Sequence, residues 1–79
     1  MATLLKADGS VEKIDDCSLT NLQKLVGGWI ELVPYTHEHV FVVNEEGGLN
    51  SLPINRKASL MAGIRIVGDV IVCEREELD

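Results

Sequence analysis

Glycine is the feature that most constrains this chain. Singly or in pairs, at Gly9, Gly27-Gly28, Gly47-Gly48, Gly63 and Gly68, it cuts the 79 residues into runs that fit only strands and short helices. Thr3–Lys6 and Val11–Ile14 flank Ala7-Asp8-Gly9-Ser10, and an Asp-Gly pair between two short runs predicts a β-hairpin. Asp16, Cys17 and Ser18 are N-cap candidates for a helix whose apolar stripe is Leu19, Leu22, Leu25 and Val26 and which Gly27-Gly28 closes. From Trp29 to Tyr35 the chain alternates, with Ile30 and Leu32 toward the core and Trp29, Glu31, Val33 and Tyr35 on the other face. Val40-Phe41-Val42-Val43 is apolar throughout, which suits a central strand covered on both sides.

After a turn at Glu45–Gly48, residues Leu49 to Pro53 lead into a second helix, Arg56–Ala62. Asn55 caps it, Gly63 stops it, and Ala58, Leu60, Met61 and Ala62 are available for packing. Ile64–Cys73 reads as a final strand interrupted at Gly68-Asp69, and the charged tail 74–79 is expected to fray. The order ββαββαβ predicts one α+β domain over residues 1–79: a small mixed or antiparallel sheet with two short helices on one face.

A chain this short buries roughly 60% of its unfolded surface, so self-association is expected to add stability. A net charge of −6 disfavours general nucleic-acid binding. No run approaches the roughly 20 apolar residues of a membrane span, and the opening residues lack the pattern of an export signal, so a cytoplasmic protein is expected. Cys17 and Cys73 have neither C-x-x-C nor zinc spacing and read as reduced, half-buried side chains. The paired glycines lack the flanking pattern of a phosphate-binding loop, and no motif implies a cofactor.

Three segments taken together resemble a known family. They are Leu25–Glu31, then Val43–Gly47 followed by Leu52-Pro53-Ile54-Asn55 and Ala58, and finally Ile66–Val72. In order and spacing, over about residues 22–73, they are similar to small domains encoded largely by bacteriophages, plasmids and some bacteria and grouped as a domain of unknown function. The resemblance implies a viral or mobile-element accessory protein, acting in a host cytoplasm if phage-encoded. It brings no catalytic residues.

Chemistry has few places to sit. Asn55-Arg56-Lys57 puts two cations at the helix end where the macrodipole is already positive, a cost of a few tenths of a kcal/mol. Either the three residues bind a phosphate or carboxylate, or both cations turn to solvent and offset Glu45 and Glu46. Trp29, Glu31 and Tyr35 project together and His37 extends the line; this face meets a second copy, stacks on a planar ligand or is covered as ordinary core. His37 and His39 are spaced for two metal ligands on one side of a strand, but no third ligand is evident. Ser59, Cys17 and Asp69 do not compose a nucleophile, base and orienter, so no enzyme is expected.

The leading expectation is a homo-oligomeric protein that sequesters an anionic small molecule, such as a nucleotide immune signal, with Asn55, Arg56, Lys57, Trp29, Tyr35 and His37 as the binding residues. It follows by analogy with signal-sequestering phage proteins. The alternative is an acidic protein-interaction module that inhibits a host protein without small-molecule chemistry.

Overall fold

The computed structural model describes residues 2–78. Five strands and two helices follow in the expected order: β1 (Ala2–Leu5), β2 (Val11–Ile14), α1 (Leu19–Val26), β3 (Ile30–Pro34), β4 (His39–Asn44), α2 (Arg56–Ala62) and β5 (Val70–Glu74). All four strand pairings are antiparallel, in the order β2-β1-β5-β4-β3. The last strand in sequence is therefore the middle of the sheet, between β1 and β4, and its Val70, Ile71 and Cys73 are fully buried.

Local signals set the ends of these elements. The hairpin closes through Lys6 N–H donating to the Ser10 carbonyl at 2.9 Å and Gly9 N–H donating to Lys6 at 3.0 Å. Gly9 supplies the positive φ, 96°, that a three-residue loop needs at its last position. Ser18 caps α1 by accepting from Asn21 N–H, and Gly27 ends it in the left-handed conformation. The buried Asn44 amide then donates to the Val26 carbonyl at 3.0 Å, satisfying a group the helix end leaves open.

The helices lie on opposite faces of the sheet, a correction to the one-sided arrangement expected. Along β4 the residues alternate: Val40 and Val42 join Ala2, Leu4, Ile71 and Leu22 of α1 in one cluster, while Phe41 and Val43 join Leu5, Val70 and Ala58 of α2 in another. The uninterrupted apolar run in β4 is the signature of this double coverage. Leu19 of the predicted α1 stripe is 56% exposed, because burial concentrates on Leu22 and Val26. Leu32, assigned to the core by alternation, is 48% exposed because β3 is an edge strand and its other apolar residues, Ile30 and Val33, pack onto opposite clusters.

Two further segments differ from expectation. Residues 64–67 form no strand; Val67 makes an isolated bridge with Ile54, and Gly68 turns the chain at φ 78° with its N–H on the Pro53 carbonyl. A Cβ at Gly68 would stand 2.7 Å from Cδ1 of Leu52, a side-chain end that can turn away, so it is the positive φ that calls for glycine. Residues 74–78 of the acidic tail, expected to fray, make contacts with the fold. Glu74 pairs with His39 in the sheet, Arg75–Glu77 forms a 3₁₀ turn, Arg75 N–H donates to the Glu38 carbonyl, and Leu78 packs on the α1 cluster. Asp79 lies outside the described residues.

The tail is held by charge as well as packing. Glu77 Oε1 accepts from Glu74 N–H at 2.9 Å, and chiefly this bond holds the Glu77 carboxyl below the ordinary glutamate range. A folded-state pKa below the unfolded value stabilises the fold above about pH 4.3 and ceases to do so as pH falls through the folded value. Urea midpoints measured from neutral to acid pH should therefore fall more steeply for the wild type than for Glu77→Gln, which keeps an acceptor and loses the titration.

Candidate functional site

Asn55 belongs to the fold. It is fully buried, its Oδ1 accepts from Ala58 N–H at 3.1 Å, and its Nδ2 donates to the carbonyls of Leu5 at 2.8 Å and Gly68 at 2.9 Å. Its side chain has no donor left for a ligand. This corrects the expectation that it helps to bind an anion: the residue that starts α2 is spent on tying the helix to β1 and to the turn before β5. Arg56 and Lys57 are exposed, and among the described residues their side chains make no hydrogen bond or ion pair, with Glu45 and Glu46 or otherwise.

The other predicted binding residues do not converge. Trp29 stands just before β3 and is 68% exposed; Tyr35 stands just after it and is 38% exposed, its ring 4.9 Å from that of Phe41. Six residues of extended chain separate them by about 20 Å, too far for one planar ligand to touch both in a single chain. His37 is in the turn before β4, where its carbonyl accepts from Arg75 Nε, and His39 Nδ1 lies 3.2 Å from Thr36 Oγ1. Among the described residues no cluster of three His, Cys, Asp or Glu side chains is placed to hold a metal.

The remaining reactive side chains are engaged in structure. Ser59 Oγ donates to the Ile66 carbonyl and accepts from Ile66 N–H, and Asp69 Oδ1 accepts from Ala7 N–H. Burial pushes both thiols up, Cys17 with help from neighbouring Glu77 and Cys73 to about 11, so neither is a thiolate at neutral pH. Of the surface recesses, one of about 550 Å³ is lined by Asp15, Cys17, Ser18, Leu19 and Glu77, and one of about 370 Å³ by His37 and Arg75 together with Glu38, Glu74 and Glu76. Carboxylates outnumber cationic groups in each, which disfavours a phosphate.

What the fold does assemble is the outer face of α2. The buried cap and Ser59 fix the rotation of the helix so that Ala58, Ser59 and Ala62 face inward and Arg56, Lys57, Leu60 and Met61 face outward. Leu60 is 84% exposed, Met61 39% and, past the stop at Gly63, Ile64 53%. Small residues inside and large apolar ones outside invert the usual helix, and correct the expectation that Leu60 and Met61 pack inward. Arg65 adds a third cation. From Gly47 to Gly68 there is no acidic residue, so a chain of net −6 carries +3 in this segment and −9 elsewhere.

Sequence reasoning missed Leu60, Met61, Ile64 and Arg65 as surface-active residues. The gap in the acidic residues between Glu46 and Asp69 was the available signal.

Fold and surface together define a small antiparallel α+β domain that presents an apolar, cationic helix face. The whole chain, residues 1–79, matches the family model described as Domain of unknown function (DUF3846), and the protein belongs to that family. The match takes in the amino-terminal hairpin and the tail as well as the region 22–73 that carries the resemblance. No curated protein and no solved structure matches the chain.

Proposed function

We propose that the protein is an interaction module that docks on an acidic protein of its host's cytoplasm through the outer face of α2, without chemistry of its own. The observation that carries this reading is Leu60: a large apolar side chain left almost wholly in water, on a helix held in that rotation, with Arg56 and Lys57 one turn before it on the same helix and Arg65 past its end. An apolar centre with a charged rim is the anatomy of a protein-binding surface. The acidic remainder of the chain does not prevent approach of an acidic partner, because at physiological salt fields are screened within about 8 Å and the local +3 segment governs contact. Capture of an anionic small molecule has less in its favour, since Asn55 is saturated and Trp29 and Tyr35 stand apart.

The test is cross-linking capture from host lysate with tagged wild-type protein and variants, scored by mass spectrometry. Leu60→Asp should lose an acidic partner, with affinity down about 30-fold or more for a central contact, while its own melting temperature stays near that of the wild type. Trp29→Ala should retain that partner. A captured partner indifferent to Leu60→Asp would sink the proposal. So would a melting temperature raised by cyclic or ADP-ribose-type nucleotides in the wild type but not in Arg56→Glu.

A further inference from the structure

The free edge of β3 is a second surface; its Glu31 and Val33 line a recess with Ile64 and Arg65, while Leu60 lies outside that recess. The bonds Tyr35 N–H to His39 carbonyl and Glu45 N–H to Trp29 carbonyl set the phase of the β3–β4 ladder. Odd-numbered residues of β3 turn their backbone groups toward β4, so Ile30, Leu32 and Pro34 turn theirs outward. Exposed apolar side chains line this edge: Trp29 at 68%, Leu32 at 48% and Tyr35 at 38%. The opposite edge, β2, is guarded by Glu12, Lys13 and the 3.2 Å Lys6–Glu12 ion pair. Of the two edges, β3 is the one left open to pairing.

We infer that β3 pairs antiparallel with β3 of a second copy, centred on Leu32, so that the two sheets become one. Backbone phase and charge select that register. Centred on Leu32, the two Leu32 residues exchange both of their bonds, and Ile30 N–H meets the Pro34 carbonyl at either end, where the N–H that proline lacks is needed least. Glu31 then faces Val33 of the other copy, and Trp29 faces Tyr35, both on the face of the sheet that carries Phe41.

Shifting the centre to Glu31 sets two carboxylates directly opposite each other. Shifting it to Val33 runs Trp29 past the end of the other strand and removes the bonds made by Ile30. Charge thus excludes the first alternative and bonding disfavours the second. Tyr35, already packed on Phe41, offers Trp29 a preformed ring surface.

The area available fixes the strength. Taking roughly 200 Å² for a whole aromatic side chain, Trp29 and Tyr35 leave about 200 Å² of ring surface open in each copy. With Leu32, Pro34 and the strand backbone, the pair buries on the order of 1,000 Å², the lower bound for a specific interface. The dimer is a weak one that forms on raising concentration.

Sedimentation equilibrium over a series from low micromolar to near millimolar protein tests this. The wild type should dimerise, and Leu32→Pro, which removes both central donors while leaving the bonds to β4 intact, should weaken self-association about tenfold or more. Trp29→Ala should weaken it with no change of fold and serves if Leu32→Pro does not fold. Register is read by oxidation in a Cys17→Ser background: Leu32→Cys should bridge to its own kind across a pair whose Cα atoms are about 5.5 Å apart, and Glu31→Cys should not. A chain monomeric at every concentration, a dimer unaffected by Trp29→Ala, or efficient bridging by Glu31→Cys would overturn the inference. Leu60 lies outside the recess shared by β3 and Ile64-Arg65, so Leu60→Asp should leave the dimer intact, and the two proposals are tested by different variants.

Discussion

Replacing Asn55 with alanine is expected to cost about 3–5 kcal/mol of stability. Loss of an N-cap alone costs about 1 kcal/mol. The two carbonyls that Asn55 satisfies, those of Leu5 and Gly68, then remain in a site with no exposure, at about 1–3 kcal/mol for each unmade partner. A domain of this length has a total stability of roughly 4–12 kcal/mol, so the variant approaches global unfolding. Urea denaturation of wild type and variant checks this, and a loss under about 1 kcal/mol would show that Asn55 acts only as a cap. Asn55→Asp separates the contributions further. It keeps the acceptor for Ala58 but aims a carboxylate at two carbonyls, which with burial raises its folded-state pKa above the unfolded value of about 4. Stability should therefore improve as pH falls from the folded value toward about 4, the acid having regained a donor.

Phe41→Ala should be comparable, about 3–5 kcal/mol, as for other fully buried aromatic residues. Its ring is the largest fully buried side chain and stands among Leu5, Val43, Ala58, Ile66 and Val70, and so between the sheet and α2. α2 meets the sheet through the small residues Ala58 and Ala62, with little other apolar surface to compensate. Hydrogen exchange should therefore quicken first at the amides of Ala58 and Ser59 in this variant. Phe41→Leu, closer in volume, should cost about 1.5 kcal/mol or less. Equal protection of α1 and α2 in Phe41→Ala would contradict the division of the core into two clusters.

Both residues bear on the surfaces proposed for function. Asn55 sets the rotation that leaves Leu60 in water, and Phe41 supports the ring of Tyr35 at the end of the open edge. A variant at either position alters presentation without touching a partner. Leu60→Asp and Trp29→Ala are for that reason the cleaner probes of binding, being changes to exposed side chains.

Much of the fold was legible in the residues themselves. The hairpin at Asp8-Gly9, the caps at Ser18 and Asn55, the stops at Gly27 and Gly63 and the doubly covered strand at Val40–Val43 are local matters. Each depends on a conformation that a few adjacent residues prefer, or on a run whose pattern states how much of it must leave water. The element order and the α+β class follow from them.

Tertiary structure alone decided the rest. Alternation shows that a residue prefers burial and leaves open what will cover it, so the opposite placement of α1 and α2, the insertion of β5 between β1 and β4 and the exposure of Leu32 at an edge all had to come from pairings distant in sequence. The same holds for the candidate site. Asn55 was visible as a cap, but the bond that makes it unavailable to a ligand reaches Leu5, fifty residues away. That bond turns Leu60 outward. A helix start that the sequence left open between an anion site and two solvated cations became, in the folded chain, an exposed face of Arg56, Lys57, Leu60 and Met61, because the buried amide settled which side of a seven-residue helix meets water.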